Sequence, residues 1–114
     1  MDNMKETRPW GFYKTLEESK NYKVKYIWVD ANQKLSYQSH TKRAEHWFIV
    51  KGLAEVTIDD YVFQAGSGDT VDIAIGQKHR IEAIDNPVEF IEVQTGTYFG
   101  EDDITRYEDN YGRA

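Results

Sequence analysis

EHWFIVKGLAEVTIDDYVFQ, residues Glu45–Gln64, sets the reading of the whole chain. Apolar and polar side chains alternate through it with a period of two, the repeat of a strand that buries one face. Glu45, Trp47 and Ile49 share one face, while His46, Phe48 and Val50 take the other. Ala54, Val56 and Ile58 form a second inward row. Gly52 breaks the pattern between the two strands, and Asp59 and Asp60 occupy the spacing of a tight hairpin before Tyr61.

The same pattern extends in both directions. Short segments rich in Val, Ile, Tyr and Phe predict strands over Tyr22–Val29, Lys34–Gln38, Glu45–Lys51, Ala54–Ile58, Tyr61–Gln64, Asp69–Ile73, His79–Ala83 and Val88–Thr95. Gly66 and Gly68 mark one turn and Asn86 with Pro87 another; Pro87 has no N–H to donate and belongs at a strand start. Many short strands and no helix of consequence predict an all-β fold, a double-sheet jelly roll or closed barrel that leaves few sticky edges. The acidic segment from Gly100 lacks β alternation and reads as a helical turn or an arm packed on the barrel. At 114 residues the chain is expected to be one domain, 1–114, with an N-terminal arm at about 1–20 and a C-terminal tail at about 100–114.

Composition excludes several classes. The net charge is −6, and no cation cluster exceeds the pair Lys42 and Arg43, so the basic stripe of a nucleic-acid binder is missing. An anionic membrane surface is excluded on the same ground, whereas one local cation pair still suits a small phosphorylated substrate. There is no cysteine, so any metal site must use nitrogen and oxygen ligands. The N-terminal residues lack the apolar core of a secretory signal, and no apolar run approaches the roughly 20 residues that span a bilayer. The expectation is a soluble, cytoplasmic protein.

Chemistry-bearing residues concentrate beside Glu45. Gln38 and His40 are two apart on a strand and project together. Glu45 follows a bend at 41–44, and His79 opens another strand after a turn at Gly76. One amide oxygen, two imidazoles and one carboxylate make a half-shell for a divalent ion, with positions left for water or substrate. A single strand histidine is more often a surface or satisfied core residue than a ligand, and Gln38 alone says nothing.

Two spaced patterns, Asn32-x5-Gln38-x-His40-x4-Glu45-x6-Gly52 and Gly68-x5-Ala74-x-Gly76-x2-His79-x3-Ala83, resemble the two cupin motifs. Gln38 replaces the usual first histidine, and Asn32, Ala74 and Ala83 depart at turn positions. The resemblance implies a cupin double-stranded β-helix that holds one divalent ion (Zn, Mn, Fe, Co or Ni) on Gln38, His40, Glu45 and His79. The segments Arg8–Tyr13, Tyr22–Lys25, Leu35–Gln38, Arg43–Trp47, Ile91–Tyr98 and Gly100–Asp109 further resemble type II mannose-6-phosphate isomerases over nearly the whole length. In that family the cupin usually follows a mannose-1-phosphate guanylyltransferase half. The Gly-rich phosphate loop of that half is not in this chain, so synthesis of GDP-mannose is not expected of it.

That resemblance implies metal-dependent interconversion of mannose 6-phosphate and fructose 6-phosphate, which needs a polarised carbonyl and a base that moves one proton between C1 and C2. Arg80 is implied to stabilise the developing oxyanion, and it reads equally as an exposed strand arginine. Lys42 and Arg43 would bind phosphate, or else belong to a solvated turn. The base is open among His46, which alternation points away from Glu45, Glu92 on the last long strand, and Glu101 or Asp102 on the tail. Tyr13, Trp47 and Tyr98 are candidate cavity walls, Trp47 reading also as core. Trp10 and the N-terminal arm are expected to cover a neighbouring barrel in a homodimer. Two rival readings are a dioxygenase-type cupin and a sugar-phosphate-binding module without turnover.

Overall fold

The computed structural model describes residues 4–112, and every regular element among them is a strand. In chain order these are β1 (Glu6–Arg8), β2 (Gly11–Glu18), β3 (Tyr22–Val29), β4 (Tyr37–Ser39), β5 (Arg43–Lys51), β6 (Ala54–Ile58), β7 (Tyr61–Ala65), β8 (Thr70–Ile73), β9 (His79–Ala83), β10 (Val88–Gly96) and β11 (Thr105–Glu108). They pair into a six-stranded sheet, β1-β2-β3-β10-β5-β8, and a five-stranded sheet, β11-β4-β9-β6-β7. The β6–β7 hairpin turns at Asp59 and Asp60, whose φ values of 47° and 70° give the left-handed turn that matches strand twist.

Three expectations are corrected. Trp10 is not left for a neighbouring barrel: β1 and β2 extend this chain's own sheet through Thr7↔Phe12 and Phe12↔Trp28, and Trp10 is buried in its core. The tail contains no helix; β11 pairs with β4 through Thr105↔Ser39 and Arg106↔Gln38, because the open edge of β4 supplies the backbone partners that the local sequence does not announce. Of the strand expected over Lys34–Gln38, only the end is realised, and Lys34 makes an isolated bridge to Glu82.

Inward rows on three neighbouring strands explain where the site lies. β3 presents Val29, Ile27 and Lys25, β10 presents Val88, Phe90, Glu92 and Gln94, and β5 presents Ile49, Trp47, Glu45 and Arg43, all buried. The register aligns them: Ile27↔Phe90↔Ile49 is an apolar row, followed by Lys25↔Glu92↔Trp47 and then by Gln94↔Glu45. The space between the sheets is therefore apolar at one end and polar at the other. Fully burying residues such as Ile49, Phe90 and Ile81 stabilises the closed end by about 1.5–3 kcal/mol each. That gain offsets the cost of holding ionisable groups out of water at the open end.

Candidate active site

Strand alternation and a bend bring three residues of different elements to one point. His40 follows β4, Glu45 lies on β5 and His79 opens β9; all three are buried, and their ligand-type atoms lie within 4.8 Å of one another. His40 Nδ1 faces the Asp103 carbonyl at 2.6 Å and His79 Nδ1 faces the Gln77 carbonyl at 3.0 Å. A carbonyl only accepts, so each Nδ1 carries the proton and each Nε2 presents a lone pair to the centre. His40 Nε2 is 3.2 Å from Glu45 Oε2, and His79 Nε2 is 3.7 Å from Glu45 Oε1.

Acceptors gathered this closely call for a cation. The Arg43 guanidinium answers in part, its Nη2 donating to Glu45 Oε2 at 2.9 Å and to His40 Nε2 at 3.1 Å. The donor set fits a divalent metal as well: two neutral imidazoles, each fixed through its other nitrogen, and one carboxylate are the ligand types such ions take. Burial would push the Glu45 carboxyl up, but the attraction of its neighbours, with the Arg43 guanidinium donating to it, outweighs burial and holds the group well below the usual range. Burial pushes His79 down, which keeps it in the neutral, ligating form. Gln38 lines the same cavity, with its amide nitrogen donating to Ser36 Oγ at 3.0 Å, so its carbonyl oxygen is the atom left for coordination.

Glu92 stands beside this centre. The Trp47 indole N–H donates to both Glu45 Oε1 at 2.9 Å and Glu92 Oε1 at 3.1 Å, and Gln94 Nε2 donates to Glu92 Oε2 at 2.7 Å. Burial and the adjacent Glu45 charge push its pKa up to about 8, only partly offset by Lys25 and Arg43. The cavity holds about 620 Å³ of space, part of it continuous with solvent. Among its walls are four of the chain's five arginines, Arg8, Arg43, Arg80 and Arg106, together with Lys25. On a chain of net charge −6 this is a concentrated positive lining.

The other sequence candidates are distributed unevenly. Glu92, Arg43, Arg80 and Glu101 line the cavity, as do Tyr13 and Trp47. Arg80 is turned away from His79 by alternation, its Nε donating to the Leu35 carbonyl and its Nη1 to Glu108. His46 lies on the outer face of β5, exposed, 2.5 Å from Asp72 on β8, so it has no path to the centre. Lys42 is exposed with its ammonium 5.2 Å from the centre of the Tyr98 ring, and Tyr98 itself donates to Asp102. None of those three lines the cavity.

Lys25, Arg8 and Arg106 were missed. Lys25 had a readable signal, since it continues the inward row of Val29 and Ile27 two residues further along β3. Arg8 and Arg106 had none, because the short strands β1 and β11 carry too little alternation of their own to fix a face.

Fold and site together define a cupin barrel with a metal-suited centre. The fold matches oxalate decarboxylase from Bacillus subtilis with a TM-score of 0.84 at 22% identity, over 93% of this chain and 30% of that one. It also matches the cupin domain of Schizosaccharomyces pombe Cnp3 with a TM-score of 0.71 at 15% identity, over 75% of this chain and 64% of that one. The chain belongs to the mannose-6-phosphate isomerase C-terminal family, whose sequence model matches residues 2–109. It is 46% identical over 108 residues to the alginate biosynthesis protein AlgA of Pseudomonas putida, covering 94% of this chain and 22% of that protein. A mannose-1-phosphate guanylyltransferase of Escherichia coli K12 is 42% identical over 108 residues, covering 94% of this chain and 23% of that protein. The chain thus spans less than a quarter of the curated relatives it matches.

Proposed function

We propose that this chain is a metal-dependent aldose–ketose isomerase that interconverts mannose 6-phosphate and fructose 6-phosphate in the cytoplasm. The observation that carries the reading is the meeting of the His40–Glu45–His79 centre with the proton-holding Glu92 and the positive lining, at one cavity lined by Glu45 and His79 of that centre. Family membership supports it.

His40, Glu45 and His79, with the Gln38 carbonyl, would hold the ion. When bound, a divalent ion supplies Lewis acidity toward the sugar carbonyl and adjacent hydroxyl. Glu92 in its ionised form, the minor one below about pH 8, takes a proton from one of C1 and C2 and returns it to the other; its buried setting keeps the proton within the cavity and away from bulk water. The Trp47 N–H and Gln94 amide fix that carboxyl in place. With Glu45 held as a ligand, Arg43 would be left to orient sugar oxygens. Arg80, already committed to Leu35 and Glu108, shapes the rim.

A second reading, binding of a sugar phosphate without turnover, is favoured by the guanidinium already seated on His40 and Glu45. One assay decides: mannose 6-phosphate with the full chain and each of Zn, Mn, Fe, Co and Ni, with and without chelator. Fructose 6-phosphate forming only with metal supports the isomerase; ligand-induced thermal stabilisation without product supports the binding module. The expected homodimer is proposed through the outer face of the six-stranded sheet, where Trp28, Phe48 and Val50 are half-exposed or exposed, and sedimentation equilibrium tests it.

A further inference from the structure

Glu101 differs from the other acidic cavity walls. Glu45 and Glu92 project from sheet strands and are buried, whereas Glu101 comes from the turn after Gly100 and its side chain is 50% exposed. Its carboxylate nevertheless reaches inward, 2.9 Å from the ammonium of Lys25 and 3.9 Å from Nη1 of Arg43. Lys25 is 3% exposed, and Glu101 is its one carboxylate partner among the described residues.

Two further cations line this cavity. Arg8 donates to the Tyr13 hydroxyl at 3.2 Å and stacks 5.1 Å from the centre of that ring, while Lys25 Nζ lies 4.1 Å from the same centre. Arg106, on β11, has a buried Nε with no hydrogen-bond partner among the described residues. A buried donor left unpaired is costly, and in a cavity wall it marks a place for an acceptor from outside. Glu101 faces Lys25 and an edge of Arg43, while Arg8 and Arg106, which line the same cavity, have no carboxylate within ion-pair distance among the described residues, so positive charge and donors are in surplus.

We propose that the subsite built by Arg8, Lys25 and Arg106 takes a phosphate monoester, and that Glu101 occupies it as an intramolecular stand-in which the incoming phosphate displaces. This rests on reading the cavity as a sugar-phosphate site. The dianion brings about twice the charge of a carboxylate and three acceptor oxygens, enough to use the unpaired Arg106 donor as well. Glu101 can swing out because half of its side chain already meets solvent. Arg43 joins the two regions, since Nη2 meets Glu45 while Nη1 faces Glu101. A sugar phosphate bound there would have its phosphate at one edge of that guanidinium and its reacting end at the other.

The test is calorimetric titration of the full chain with inorganic phosphate, then with mannose 6-phosphate and with mannose. Glu101→Gln, which removes the competing charge, is expected to tighten phosphate binding about tenfold, and Arg106→Met to weaken it by about tenfold or more. Lys51→Ala, on the exposed end of β5, is expected to leave it unchanged. Mannose 6-phosphate should follow the phosphate order and mannose should not. Circular dichroism checks each fold, and Arg106→Lys, expected to fall between wild type and Arg106→Met, serves if the methionine variant unfolds. Phosphate affinity that is unchanged or weaker in Glu101→Gln, or unchanged in the Arg106 variants, overturns the proposal. If the variants behave as expected yet no isomerisation occurs, the isomerase reading fails and the subsite stands. If isomerisation proceeds while phosphate binding ignores both positions, the subsite fails and the isomerase reading stands.

Discussion

At the residue scale, Glu92 shows how a neighbour changes a carboxyl's chemistry. Glu45 and Glu92 share the Trp47 N–H, yet Arg43 helps keep Glu45 ionised, while burial and the Glu45 charge lift Glu92 to about 8. Two like charges cannot both persist in so small a buried space, so one group stays ionised, as a ligand must be, and the other holds a proton. Glu92→Gln keeps the size and neutrality of the protonated side chain. It is expected to leave metal content unchanged while lowering kcat for isomerisation by about a hundredfold or more. Metal analysis beside steady-state kinetics checks this; parallel loss of metal and activity would make Glu92 part of the metal shell instead.

At the element scale, the 97–104 segment acts as a strap over the open end. Asp103 accepts from Thr41 N, Thr41 Oγ1 and Lys42 N at 3.0, 2.8 and 2.9 Å, and its carbonyl orients His40. Burial would raise its carboxyl slightly, but those hydrogen bonds hold it below the usual 3.8. Burial would likewise raise Glu101, but Lys25 and Arg43 hold it below 4.5. Both groups take up protons more readily when released. Their contribution is therefore complete above about pH 4.5 and fades as pH falls through the lower folded values. Amide exchange at 97–104, corrected for intrinsic rates, should accelerate over that window before the core strands do.

Gly96 sets the other boundary of this end. Its φ is 156°, and a Cβ there would lie 2.1 Å from the Lys42 carbonyl oxygen and 2.9 Å from Arg43 Cα. Gly96→Ala must push back the start of β5, which carries Arg43 and Glu45. A loss of about 1–3 kcal/mol in urea unfolding is expected, with weakened metal retention. Unchanged values in both would show that β5 yields there without disturbing the centre.

For the whole molecule, a site drawn from several strands of both sheets couples ligand binding to folding. An ion that binds only the assembled centre stabilises the fold by about 2.7 kcal/mol at a hundredfold excess over Kd, raising Tm by several degrees. His40→Ala and His79→Ala are each expected to abolish that rise and the metal content with it. A preserved rise in either variant would place the ion elsewhere.

Most of the fold was legible because side-chain alternation is local. Tyr22–Val29, Ala54–Ile58 and His79–Ala83 follow from hydrophobic period and turn residues alone, and so does the aiming of His46 away from Glu45. β1, β2 and β11 were not legible, because their own sequences carry weak alternation and, for β11, the partner β4 is a distant edge. The imidazole and carboxylate positions could be read from spacing near Glu45. The convergence of Arg8, Lys25, Arg43 and Arg106 could not, since they are scattered along the chain. Only the closure of two sheets brings them to one cavity, where charges that look solvated in sequence lose their water and must be answered by Glu101 or by a bound anion.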